Sequence, residues 1–167
     1  MSASVPPIVV MGVSAVGKTT VGQEIARLCG GRFLDADDLH PAENVAKMSA
    51  GIPLDDADRW PWLDRVGDAL APGTVMACSA LKRAYRDVLR RHAPETFFVH
   101  LHADAAHLLA QASGREGHFM PPALLQSQLD ALEPLGADEN GIVITVDATP
   151  DRLAERALGA VRNASEG

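Results

Sequence analysis

Four apolar, β-branched runs stand out along the chain: Ile8–Val13, Thr74–Cys78, Phe97–Leu101 and Ile142–Val146. Each is bounded by Gly, Pro, Asp or Ser, and none alternates cleanly between apolar and polar. That is the pattern of strands covered on both faces. "GRFLDAD" adds a shorter fifth strand at Arg32–Leu34. Helical periodicity falls between these runs, at Lys18–Cys29, Lys82–His92, Asp104–Gly114 and Pro150–Arg162. Strands and helices that alternate at this spacing predict βαβ units and a parallel sheet, an α/β protein.

Two stretches exceed simple alternation. Residues from about 40 to 70 hold two helical patterns, "PAENVAKMSAG" and "DADRWPWLDRVGDAL", where one crossover helix would suffice. Residues from about 115 to 133, "REGHFMPPALLQSQLDALE", are polar and Pro-broken and then helical. Additional segments on an α/β core gather near the carboxyl ends of strands, where ligands sit. The first is therefore read as a substrate-binding insertion and the second as a mobile lid, both within one domain.

Composition narrows the partners. At 167 residues the chain has the size of one domain, and 47% hydrophobic against 22% charged residues is globular rather than disordered. A net charge of −7 argues against a nucleic-acid partner, so any phosphate must be held by a local site. Cys29 and Cys78 lie far apart and form no C-x-x-C pair, which argues against a zinc or disulfide framework and fits a reducing cytoplasm. "MSASVPPIVV" lacks the basic start and long apolar run of a signal peptide, and no stretch approaches the ~20 apolar residues of a membrane span. A cytoplasmic protein with no membrane partner is expected.

The chemistry is carried first by "GVSAVGKTT". Gly12, Gly17, Lys18 and Thr19 fit G-x-x-x-x-G-K-[ST] between a predicted strand and a predicted helix. In such a loop successive N–H groups from Gly12, Val13, Ser14, Ala15, Val16, Gly17, Lys18, Thr19 and Thr20 close around phosphate oxygens at the positive end of a helix. Lys18 reaches the β- and γ-phosphates, and the Thr19 hydroxyl ligates Mg²⁺. Ala15 stands where many such loops carry Gly, and Ala resists positive φ.

The kind of P-loop protein is narrowed by its motifs, with an ATPase motor or partner-controlled ATP switch left open, although the chain is short for one, and a small kinase the better fit. There is no N-K-x-D segment to read guanine, and "DRVG" at Asp64–Gly67 lies inside a helical pattern instead of following a strand. A small kinase needs a carboxylate near the γ-phosphate, with Mg²⁺ and cations on the developing charge. "FLDADDLHP" follows the second strand, and alternation places Asp35 and Asp37 on one side. Asp37 is assigned as base or hydroxyl orienter and Asp35 as support for Mg²⁺. Only Arg115 lies in the lid region between 103 and 133, too few for a second phosphorylated ligand. Arg59 and Arg83 instead offer planar forks to a carboxylate, which points to a small hydroxy-acid. Ser79 lies beyond the third strand, as a helix cap or a substrate contact. Lys82 and Arg83 diverge by about 100° on a helix, and Arg83 is preferred at the substrate.

"GVSAVGKT", "DADDLHP", "NVAKMSAGIPLDDADRWPWL", "CSALKRAYRDVLR" and "GREGHFMPPALLQSQLDALEPLGADE" together resemble the P-loop gluconate kinases from about Val9 to Pro150. The resemblance implies an adenylate-kinase-like P-loop fold with a five-stranded parallel sheet, commonly as a homodimer. It also implies ATP-dependent phosphorylation of D-gluconate at its 6-hydroxyl, feeding the pentose phosphate or related routes. Under it Arg115 helps Lys18 hold the transferring phosphoryl group, while His40 and His118 contact the substrate. Gln111 stands where the family tends to carry the first Arg of an Arg-x-x-x-Arg pair. Kinases for other small hydroxy-acids such as shikimate share the general layout. A regulatory module that binds nucleotide without transferring phosphate is the alternative from another class.

Overall fold

The computed structural model describes residues 5–114 and 122–166. In chain order the elements are β1 (Ile8–Met11), α1 (Lys18–Cys29), β2 (Arg32–Asp35), α2 (Ala42–Ser49), α3 (Asp56–Ala69), β3 (Thr74–Ala77), α4 (Arg83–His92), β4 (Phe97–His102), α5 (Ala105–Gly114), α6 (Pro122–Ala131), β5 (Gly141–Thr145) and α7 (Pro150–Glu166). One turn of 3-10 helix, Ala36–Leu39, follows β2. The five strands form one parallel sheet in the order β2-β3-β1-β4-β5.

Side chains of β1 point alternately into two cores, which is why its sequence does not alternate in polarity. Ile8 and Val10 meet Val21 and Ile25 of α1 and Leu153 and Ala157 of α7. Val9 and Met11 meet Trp62, Leu63 and Val66 of α3 and Val88 and Leu89 of α4. β1 therefore lies between two helical layers, and everything that leaves its carboxyl end is held from both sides. Among the described residues no helix is long and apolar enough to cross a membrane.

Three expectations are modified. The first strand ends at Met11, not Val13, because Gly12 takes φ 147° and turns the chain. The last strand is a sheet edge with Val143 half exposed, so its apolar run is not covered on both faces. The stretch read as a lid divides: α6 is packed down, with Leu125 1% exposed in the core and Leu129 and Leu132 against it.

The second half of the sheet is tied to α4 by a buried ion network. Arg86 is fully buried, and its Nε and Nη2 donate to Glu139 at 2.8 and 3.0 Å. Its Nη1 donates to the carbonyls of Ala80 and Leu81. Arg90 Nη1 lies 2.9 Å from the same carboxylate. Burial alone would raise the Glu139 pKa, but bonds from Arg86 and the Gly136 N–H outweigh it and hold it at about 2. A depressed carboxylate stabilises the fold above its unfolded pKa, and that contribution is lost as pH falls through the folded value. Glu139→Gln should cost about 3 kcal/mol at neutral pH by leaving Arg86 without its counter-charge. Urea unfolding from pH 7 downwards should show the native chain losing stability below pH 4.5 toward pH 2, a loss the variant largely lacks.

Candidate active site

The phosphate loop begins where β1 stops. A Cβ on Gly12 would lie 2.8 Å from the Leu101 carbonyl of β4, so only glycine lets the chain pass this close to the neighbouring strand. Gly12 N–H donates to the Ser79 carbonyl at 3.2 Å, tying the loop to the segment after β3. Gly17 ends the loop at φ 99° and precedes α1, whose first turn carries no acidic residue and no side-chain cap. α2 and α4 likewise lack a side-chain cap, whereas α3 and α5 have one. Asp55 accepts from Asp58 N–H at the start of α3, and Asp104 accepts from His107 N–H at α5. With neither a side-chain cap nor an acidic residue in its first turn, the amino terminus of α1 presents its positive dipole end at the phosphate loop. Thr19 and Thr20 are exposed on it.

Ala15 takes φ 71°, so the position where glycine is usual keeps the left-handed conformation despite its methyl group. Lys18 Nζ folds over the loop and donates to the Gly12 and Val13 carbonyls, both at 3.0 Å. A cleft of about 670 Å³ opens on the trailing side, between Ala15, Gly17 and Thr20 and the segment Val146–Pro150, with His107 on its wall.

On the other side of the loop stands the acidic turn. Asp37 is not on the strand, so alternation does not govern it. It lies in the 3-10 turn, and its N–H donates to Asp35 Oδ1 at 3.0 Å. Trp62 Nε1 of α3 donates to the Ala36 carbonyl at 2.7 Å, clamping the same turn from below. Asp35 is raised by burial, then lowered by the Asp37 N–H bond, raised by the charges of Asp37 and Asp38, and lowered by Lys18, with a net upward shift. The carboxylate pair and the loop lysine therefore share one electrostatic field. Partial burial disfavours the negative charge on Asp35, and a cation would relieve it. With the Thr19 hydroxyl, this is a hard oxygen set of the kind Mg²⁺ takes.

His40 stacks on Trp62 with ring centroids 4.3 Å apart, and its Nδ1 pairs with Asn44 Nδ2 at 3.1 Å. Burial lowers its pKa, the Asp37 charge raises it, and the Arg59 charge lowers it, for a net downward shift. Asp37, His40 and Arg59 are thus neighbours. Arg59 Nη1 approaches Asp56 Oδ1 at 3.6 Å and Tyr85 Oη at 3.4 Å, and Tyr85 donates to Asp56 at 2.5 Å. Lys82 Nζ, not Arg83, joins them, 3.9 Å from Asp56 and 5.7 Å from the Tyr85 ring centre. Burial, then the Asp56 contact, pushes the Tyr85 hydroxyl up to about 12.

Arg83 is placed elsewhere: its guanidinium pairs with both Asp138 oxygens at 3.0 and 2.5 Å. Lys82 is the N-cap of α4 in extended backbone and Arg83 is the first helical residue, so the expected helical relation between them does not apply, and it is Lys82 that faces Arg59. Ser79 does not cap α4, which begins at Arg83, four residues on; its carbonyl serves the phosphate loop instead. Arg115 and His118 lie outside the described residues. His100 and His102 meet edge-on, 6.3 Å apart, and burial pushes His100 down to about 4. Among the described residues no group of three or more His, Cys, Asp or Glu could hold a metal.

Sequence reasoning missed two residues. Asn44, 3% exposed, links His40 to the Asp58 carbonyl at 3.0 Å. Its only sequence signal is the i, i+4 spacing from His40. Gln128 of α6 accepts from Ser14 N–H at 2.7 Å, a contact across 114 residues that no local pattern announces.

A loop of this kind, opposite a clamped carboxylate at the carboxyl end of a parallel sheet, defines a P-loop phosphotransferase. The family model "Shikimate kinase" matches residues 14–133. The chain is 49% identical over 142 residues to the thermosensitive gluconokinase of Escherichia coli (strain K12), covering 81% of this chain and 75% of that one. It is 46% identical over 157 residues to a gluconokinase of Gluconobacter oxydans (strain 621H), covering 90% and 88%. The crystal structure of a gluconokinase from Sinorhizobium meliloti 1021 matches with a TM-score of 0.89 at 44% identity, covering 99% and 96%. Shikimate kinase from Acinetobacter baumannii, at TM-score 0.62 and 18% identity, shares the fold. The chain belongs to the gluconokinase family.

Relieving the left-handed alanine gives a direct check on the loop. Ala15→Gly should stabilise the protein by about 1 kcal/mol. Thermal unfolding should then show a melting temperature higher by about 2–4 °C.

Proposed function

We propose that this protein transfers the γ-phosphoryl group of ATP to the 6-hydroxyl of D-gluconate, giving 6-phospho-D-gluconate and ADP. The observation that carries the reading is one juxtaposition. An uncapped helix end and Lys18 lie on one side, the Asp35–Asp37 turn on the other, and Arg59 and Lys82 just beyond. Membership of the gluconokinase family supplies the acceptor.

The triphosphate lies along Gly12–Thr20, with its base toward Asp147–Pro150 in the cleft. Gluconate enters on the Asp37 side, its carboxylate toward Arg59 and Lys82 and its polyol chain toward His40. Bringing the acceptor to a fixed hydroxyl orienter replaces a bimolecular encounter by a positioned one. Asp37 takes the 6-hydroxyl proton as the new O–P bond forms and the bond to the ADP oxygen breaks. Lys18 follows the charge that develops on the phosphoryl oxygens. Mg²⁺, when bound, neutralises the β- and γ-oxygens, and Thr19 and Asp35 are the residues that would hold it. The family resemblance adds Arg115 at the phosphoryl group and His118 at the substrate. It also adds a homodimer and a cytoplasmic role supplying the pentose phosphate pathway.

Asp37→Asn keeps the size of the side chain and its backbone bond to Asp35, but removes the proton acceptor. Steady-state turnover with gluconate should fall by about 100-fold or more, while ATP affinity by calorimetry changes little. Near-normal turnover would remove Asp37 from this role. ADP release stimulated by another sugar acid or by shikimate, and not by gluconate, would keep the chemistry and change the acceptor.

A further inference from the structure

The phosphate loop is gripped from outside as well as from within. Lys18 holds the Gly12 and Val13 carbonyls. The next amide along, Ser14 N–H, donates to Gln128 Oε1 at 2.7 Å. Two carbonyls and one amide of the leading arm, Gly12–Ser14, are therefore pinned by side chains. The trailing arm differs, since Ala15, Val16 and Gly17 face the nucleotide cleft and Ser14 does not. The leading arm lies instead at the end where Lys18 and the Asp35–Asp37 pair share a field. On the reading above, that is where phosphorus changes hands.

Two features of the contact go beyond a structural tie. A primary amide carries its NH₂ on the same carbon as its oxygen, so fixing Oε1 on Ser14 holds the two Nε2 donors beside the same arm. Nε2 makes no hydrogen bond among the described residues, while a terminal phosphoryl group is rich in acceptors. The platform is also rigid. Leu125 buries α6 in the core, and beyond the helix Glu133 N–H donates to the Leu81 carbonyl while its carboxylate accepts from Arg83 N–H.

We infer that Gln128 is a further residue of the phosphoryl site: its carbonyl sets the leading arm of the loop, and its NH₂ is thereby presented to the terminal phosphoryl group of the nucleoside triphosphate. It supplies hydrogen bonding without charge, and it contacts only a nucleotide long enough to reach the leading arm. ATP and ADP should therefore be distinguished by it, because only ATP carries the group it faces. This rests on the kinase reading for its turnover arm, while its binding arm needs only nucleotide.

The test compares Gln128→Ala and Gln128→Glu with the native chain. Glutamate retains the acceptor for Ser14 N–H, and a carboxylate accepts that bond more strongly. It replaces the NH₂ with an anionic oxygen facing the phosphoryl group. Gln128→Glu should keep the native melting temperature and ADP affinity, and bind a non-hydrolysable ATP analogue at least tenfold more weakly. Its turnover should fall below that of Gln128→Ala, itself reduced about tenfold with the KM for gluconate unchanged. A Gln128→Glu enzyme that turns over as fast as Gln128→Ala or faster would overturn the inference, because a mere loop anchor is rescued by any acceptor. If Gln128→Ala does not fold, Gln128→Glu turnover within threefold of native is the overturning result. If the native chain shows no gluconate-dependent turnover, the kinase reading fails, and the ATP-against-ADP comparison still judges Gln128.

Discussion

A helix end left without its own side-chain cap turns its positive dipole end to whatever anion arrives, and the architecture follows from placing that end of α1 at the phosphate loop. β1 delivers the chain to that point from the middle of the sheet, between two apolar layers. Gly12 then threads past the Leu101 carbonyl, where any side chain would collide. Loop, lysine and helix dipole are set before any ligand arrives, so little reorganisation is left for the moment of reaction.

The acceptor side is built differently. On the proposed reading its carboxylate is Asp37, which stands on a single 3-10 turn, with poorer hydrogen-bond geometry than an α-helix, and borrows rigidity from outside. Trp62 holds the turn through Ala36, Asp35 holds it through the Asp37 N–H, and His40 continues the stack onto Trp62. Asp56 meanwhile holds Arg59, Lys82 and Tyr85 together, a protein carboxylate organising the cations that, on the proposed reading, a substrate carboxylate would meet.

Much of this was legible in the chain. Strands covered on both faces read as unbroken apolar runs, and the P-loop spacing is dictated by phosphate geometry, so the core and the nucleotide half were predictable. The Asp55 cap of α3 was equally open to reading, because capping is a local rule. What stayed hidden was non-local. Asp37 left the strand because a 3-10 turn intervened, and Lys82 exchanged places with Arg83 because Asp138 captured the latter from 55 residues away. Gln128 looked like any polar position on an amphipathic helix. A residue whose partner is brought to it only by the completed fold leaves no mark in its own neighbourhood.

The way α2 is attached has a mechanical consequence. Asn44 is its one buried residue, and Val45 and Met48 lie exposed. Asn44 and Lys47 fasten it through two polar tethers to Asp58, the latter at 2.8 and 2.9 Å. α3, by contrast, cannot slide on α4: Gly67 brings the helices so close that a Cβ there would lie 2.5 Å from His92, a ring also held by Asp64 and Asp68. Shear motion is therefore denied to the α3–α4 pair. α2 is held instead by directional tethers, with no apolar residue of its own buried. Such an attachment resists by bond angle and ionic attraction rather than by apolar area, so added salt weakens its Lys47–Asp58 part.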